Sequence, residues 1–151
     1  MNRSDSVTRT ASAARPGVLA LGVVYLVLAI AGFVRTGTAE FGLEEPLRLF
    51  GVLGVSTLAN IVHAVVGVAA TVAALRRAPT VFAAPATVAF FAMAVFGAVS
   101  RIVADTGDPL NLTWWNVGLY LLSSAACAAF YWTGAVRTAR EGDRQESHSR
   151  E

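Results

Sequence analysis

Apolar residues gather into four long runs, and the short segments between and around them hold nearly all the charge. Gly17 to Val34 is 18 residues without a charge, about 27 Å of helix at ~1.5 Å per residue, just enough for a ~30 Å hydrocarbon core. The second run, Leu49 to Leu75, has 27 residues, about 40 Å if wholly helical and longer than a bilayer core requires. Gly51 and Gly54 make its beginning poor helix, so its buried part is placed from about Val55, with the first turns in the interface. The third run, Val81 to Val99, carries Pro85 one turn from its start, where a missing amide donor costs least. The fourth, Leu112 to Thr133, has Trp114 and Trp115 at one end and Tyr131 and Trp132 at the other. Rings separated by about 26 Å of helix are what two headgroup layers select, because each pairs an apolar body with a wet edge. Period-two alternation is absent, and backbone amides in hydrocarbon must bond within their own segment, so the runs are helices. The pattern predicts an all-α fold, a four-helix transmembrane bundle built from two helical hairpins, within a membrane domain of residues 16–135. Its spans lie at about 17–34, 55–75, 81–99 and 112–133. Arg76, Arg77 and Pro79 form a tight turn that makes the second and third spans antiparallel neighbours.

Charge decides the threading. The basic residues are 12 arginines, with no lysine. They flank the apolar runs, which removes nucleic acid as an expected partner. Nine of them (Arg3, Arg9, Arg15, Arg76, Arg77, Arg137, Arg140, Arg144, Arg150) fall on one side of the predicted membrane. The 35–48 and 100–111 loops hold only Arg35, Arg48 and Arg101, offset by Glu40, Glu44, Glu45, Asp105 and Asp108. The positive-inside rule then puts both termini of this multi-pass membrane protein in the cytoplasm. The all-arginine, alanine-rich composition is similar to that of high-GC bacterial proteins, so the expected location is a bacterial cytoplasmic membrane. A rival reading makes residues 1–39 a secretory signal cut after Gly37-Thr38-Ala39, but 18 apolar residues exceed the ~7–15 of a signal core. The segments 1–15 and 136–151, rich in Ser, Arg and Glu, are predicted to be solvated, disordered tails. A single cysteine, Cys127, excludes a disulfide framework and a multi-cysteine metal site.

Two polar stripes run inside the membrane. In the second span Ser56, Asn60, His63, Gly67, Thr71 and Ala74 recur at helical spacing; in the fourth, Thr113, Asn116, Tyr120, Ser123, Cys127, Tyr131 and Gly134 do the same. The stripes are expected to face each other, small residues admitting close approach and polar ones bonding across the interface. Matching Asn60 with Asn116 aligns Gly67 with Ser123 and Thr71 with Cys127, a weak parallel repeat of the two hairpins. A histidine at bilayer depth raises a site hypothesis, so Asn60, His63, Asn116 and Tyr120 form a candidate intramembrane polar site, with the Asn60 amide orienting the imidazole. A proton relay or metal centre lacks partners, since no span holds a carboxylate and the other histidine is His148. Arg101, Asp105 and Asp108 form a candidate outer rim, whose bland counterpart is an interfacial anchor with a surface ion pair. Tyr25, alone among aliphatics, reads as a satisfied core tyrosine.

Leu49-Phe50-Gly51-Val52, Leu58-Ala59-Asn60-Ile61-Val62-His63 and Gly67-Val68 resemble the signature of an uncharacterised four-helix membrane family, a domain of unknown function common in actinobacteria. The resemblance covers roughly residues 16–135. Asn60, His63 and Gly67 match its L-H-N-x-V-H-x-x-x-G pattern; Ala59 stands at the first histidine and Leu119 at the histidine of a second N-x-x-H. It implies a four-span membrane protein of unknown activity. No phosphate loop, dinucleotide fingerprint, HExxH or GxSxG occurs, and no nucleophile is paired with a base, so no catalytic residue, metal or cofactor is expected. The leading expectation is a non-enzymatic structural or interaction module in the lipid bilayer, with a second copy or another membrane protein as partner. The alternative is a small transporter, channel subunit or lipophilic-ligand binder around Asn60 and His63.

Overall fold

A computed structural model describes residues 14–38, 47–103 and 108–148, with side chains through residue 136. Four helices, α1 (Ala14–Thr36), α2 (Thr57–Leu75), α3 (Pro79–Val103) and α4 (Trp114–His148), are each long and apolar enough to cross a membrane. The chain is a multi-pass membrane protein. Its lipid-facing surface is aliphatic and aromatic, with Ile30, Val65, Val88, Leu122 and Trp132 all more than half exposed. In a bilayer that exposure is solvation, and cohesion falls to close packing and hydrogen bonds.

The bundle is two hairpins. α1 packs along the length of α2, and α3 along α4, whereas α2 and α3 touch only sparsely despite the short turn joining them. That turn is a Schellman motif: the Ala78 amide donates to Ala73 O and the Arg77 amide to Ala74 O, with Arg77 left-handed at φ 58°. Arg15, at the start of α1, donates from Nε to Ala74 O over 3.0 Å, so Arg15, Arg76 and Arg77 share one end of the bundle.

Two expectations change. The start of the second apolar run is not helix: Arg48–Leu49 (β1) and Leu53–Gly54 (β2) pair antiparallel around a tight turn. Leu49 O accepts from Val52 N, and φ is positive at both Phe50 (53°) and Gly51 (76°), the type I′ pattern of hairpins. The glycines that weaken a helix here serve the hairpin. Gly51 takes a left-handed position, and Gly54 lies so close to Asn111 O that no Cβ fits. Second, α4 continues to His148, into the segment expected to be a disordered tail; Ala139, Arg140 and Glu141 are good helix formers that extend an already nucleated helix. Residues 1–13 and 149–151 of the predicted tails lie outside the described residues.

Candidate functional site: an aromatic floor and a lateral cleft

The two stripes do not face each other along their lengths. α2 and α4 make no close backbone approach, because α1 occupies the small face of α2 and α3 packs on α4. Gly22 of α1 lies against Gly67 and Thr71, and Gly32 against the Asn60 amide. The missing side chain at Gly32 explains where Asn60 points. Its Nδ2 donates to Thr36 Oγ1 at 2.9 Å, not to His63, so it does not orient the imidazole as expected. Asn60 Oδ1 is buried without a hydrogen-bond partner.

The stripes meet at one point, where His63 Nε2 and Tyr120 Oη are 3.0 Å apart. Around that bond the core is aromatic. The Tyr25 ring is edge-on to His63 at 5.3 Å between centroids and lies 5.1 Å from Phe90, and Phe90 stacks on Tyr120 at 6.3 Å. Tyr25 and Ser123 hydroxyls are 2.9 Å apart, joining the first helix to the fourth. Tyr25 is thus the satisfied core tyrosine expected, and also the residue through which all four helices meet. One aromatic or imidazole from each helix, Tyr25, His63, Phe90 and Tyr120, builds the centre.

Asn116, the fourth candidate, sits elsewhere. Its Oδ1 accepts from Thr113 N (2.9 Å) and Gly54 N (2.9 Å) and lies 2.7 Å from Thr113 Oγ1, and its Nδ2 donates to Gly54 O (3.1 Å). Thr113 and Asn116 make a capping box at the start of α4, and the amide's remaining capacity holds the β-hairpin. Of the expected outer rim, only Arg101 and Asp108 fall within the described residues. Asp108 is buried, accepting from Leu110 N (2.9 Å) and Leu112 N (3.1 Å) as turn chemistry demands of an Asp before Pro. Arg101 is exposed, and Asp105 lies outside the described residues, as do Glu40, Glu44 and Glu45. Among the described residues no three His, Cys, Asp or Glu converge on a common point.

Sequence reasoning missed the cleft. Because α2 and α3 part from their turn, a cavity of about 570 Å³ opens between them, on the lipid-facing side of the aromatic floor. Val62, Val65, Val66 and Ala69 form one wall, α3 from Phe82 to Phe96 the other, and Tyr25 and Tyr120 the base. Val65 and Phe96 at its edges are exposed, so it opens sideways into the membrane. The alanines at 86, 89 and 92, which look like generic helix filler, leave the space. Residues 15–133 match the model of a family described as a domain of unknown function (DUF4383). The chain belongs to this family. No curated protein and no solved structure matches it.

Proposed function

We propose that this DUF4383 protein is a non-enzymatic membrane module that accommodates the hydrocarbon tail of a lipid in the cleft between α2 and α3. The observation that carries the reading is the shape and lining of that cleft. Its volume of about 570 Å³ lies in the ~300–1,000 Å³ range of ligand sites. Along α3 it extends from Phe82 to Phe96, about 21 Å of helix, which matches a chain lying along the membrane normal. The walls offer dispersion contacts and almost no polar atoms, so the occupant is an acyl or isoprenoid chain. His63 and Tyr120 hold the floor by bonding each other behind its apolar face. That use of the polar centre favours a tail-binding module over a transporter or channel subunit, because a permeation path needs polar groups directed at a pathway.

The proposed setting is a bacterial cytoplasmic membrane with both termini inside; its support is the clustering of Arg15, Arg76 and Arg77 at one end. The test is photo-crosslinking of the reconstituted protein to a phospholipid with a diazirine-bearing acyl chain. Ala89 is exposed within the cleft, so Ala89→Trp fills it without disturbing the core, and adducts on the Val62–Ala69 segment should fall at least severalfold. Leu122→Trp, on the outer face of α4, should leave them unchanged. Equal labelling in wild type and Ala89→Trp would reject the reading.

A further inference from the structure

The β1–β2 hairpin, seven residues from Arg48 to Gly54, is held by side chains from the segment that opens α4. Asn116 clamps both backbone atoms of Gly54, Thr113 Oγ1 donates to Val52 O at 2.8 Å, and Asn111 Nδ2 reaches Leu47 O at 2.7 Å and Val55 O at 3.2 Å. What this clamp presents is Phe50, 81% exposed, with Val52 beside it. Phe50 occupies the first central position of the turn at φ 53°, where an aromatic residue is disfavoured and Asn before Gly is the preferred choice. The turn alone therefore gives no reason for a phenylalanine.

Its level in the membrane does. Thr113 immediately precedes Trp114 and Trp115, which are 56% and 65% exposed and mark one boundary layer. Tyr131 and Trp132, also exposed, mark the other. The 2.8 Å bond from Thr113 to Val52 fixes the hairpin at the depth of the first tryptophan pair. Arg48 at the hairpin's base is exposed and can reach headgroup phosphates, while Phe50 and Val52 supply apolar surface.

We propose that the Arg48–Gly54 hairpin is an interfacial anchor that seats Phe50 and Val52 in the glycerol and upper acyl layer of the bilayer, continuing the ring of Trp114 and Trp115. The partner is the phospholipid surface of the leaflet at the end opposite Arg76 and Arg77. Because the hairpin runs through Val55 directly into Ser56, the N-cap of α2, and Asn116 ties Gly54 to the cap of α4, its anchoring sets the height of α2 and α4 together.

Collision accessibility of a nitroxide tests this. Cys127 is fully buried, so Val52→Cys provides the one exposed thiol among the described residues of the full-length protein in phosphatidylcholine and phosphatidylglycerol vesicles. The label should be reached by oxygen more than by a water-soluble nickel chelate. Adding Phe50→Asn, which suits the left-handed turn, should keep the fold by size-exclusion elution yet lower the oxygen-to-nickel ratio severalfold. Overturning results are chelate-dominated access with Phe50 present, a ratio indifferent to Phe50→Asn, or protection from both probes, which would signify a protein surface over the tip.

Discussion

Gly22 of α1 and Gly67 of α2 lie so close that a Cβ built on either would come within 3.0 Å of the other's carbonyl oxygen. The obstacles are backbone atoms as well: a Cβ on Gly67 would stand 2.8 Å from Leu26 N, and one on Gly22 2.9 Å from Thr71 N. No rotamer change relieves such contacts. Close backbone approach is how membrane helices gain packing energy in the absence of water to drive them together. Gly67→Ala should therefore cost about 1–3 kcal/mol as the hairpin is pried apart, and Gly67→Ile more. Thermal unfolding in detergent checks this, with Gly118→Ala as contrast. Nothing lies within 4 Å of a Cβ at Gly118, so that change should be neutral or stabilising by up to ~1 kcal/mol.

Much of this arrangement is legible in the sequence, and the misses share one cause. Run lengths and flanking rings locate four helices, since hydrocarbon thickness is a strict ruler; the helical spacing of Asn60, His63 and Gly67 places them on one buried face. Which helix covers that face depends on Gly22 and Gly32 in α1, whose absent side chains leave no mark in a pattern of apolar residues. Asn60 and Asn116 look alike on paper. The first turns into the gap at Gly32, and the second caps a helix and grips a hairpin, because the partner backbone differs. The hairpin had a local signal in Gly51 and Gly54, hidden within an otherwise apolar run. The cleft had only the small side chains at Ala86, Ala89 and Ala92, which do not distinguish a gap from close helix packing; how far α2 and α3 diverge sets it.

Asn116 uses both amide atoms on Gly54, as a neighbouring strand would. Asn116→Ala would leave Gly54 N, Gly54 O and Thr113 N to find water at the membrane surface, for a loss of about 1–3 kcal/mol. Asn116→Asp keeps the acceptor but loses the donor to Gly54 O, so it should not rescue. Hydrogen exchange at the Gly54 amide should accelerate in both variants while the amides of α1 keep their protection.

His63 and Tyr120 form a pair whose coupling is measurable. Tyr120→Phe retains the ring that stacks on Phe90 and removes only the hydroxyl, while His63→Leu removes the imidazole. A double-mutant cycle on unfolding in lipid should give a coupling of about 0.6 kcal/mol and no more than ~2 kcal/mol, the range for hydrogen bonds between membrane helices. Lipid crosslinking in the cleft should survive Tyr120→Phe, because the apolar ring face is what lines it. Loss of crosslinking with intact stability would mean instead that the hydroxyl contacts the occupant.

Arg77 carries a strain that its neighbours make removable. It sits at the left-handed position after α2, φ 58°, where the Schellman bonds from Arg77 N to Ala74 O and Ala78 N to Ala73 O require that conformation. Glycine adopts it without a Cβ penalty, which for other residues is about 1–2 kcal/mol, although glycine also frees the unfolded chain by roughly 0.5–1 kcal/mol. The difference leaves Arg77→Gly between neutral and stabilising by ~1.5 kcal/mol. Arg76, with φ −74°, is unstrained, and Arg76→Gly should destabilise instead. The two variants remove the same charge from the same turn, so opposite shifts in unfolding temperature would isolate the backbone effect from electrostatics. Both should keep their membrane orientation, since Arg15 and one turn arginine remain at that end, and cysteine accessibility at the turn checks that the comparison is made on one topology.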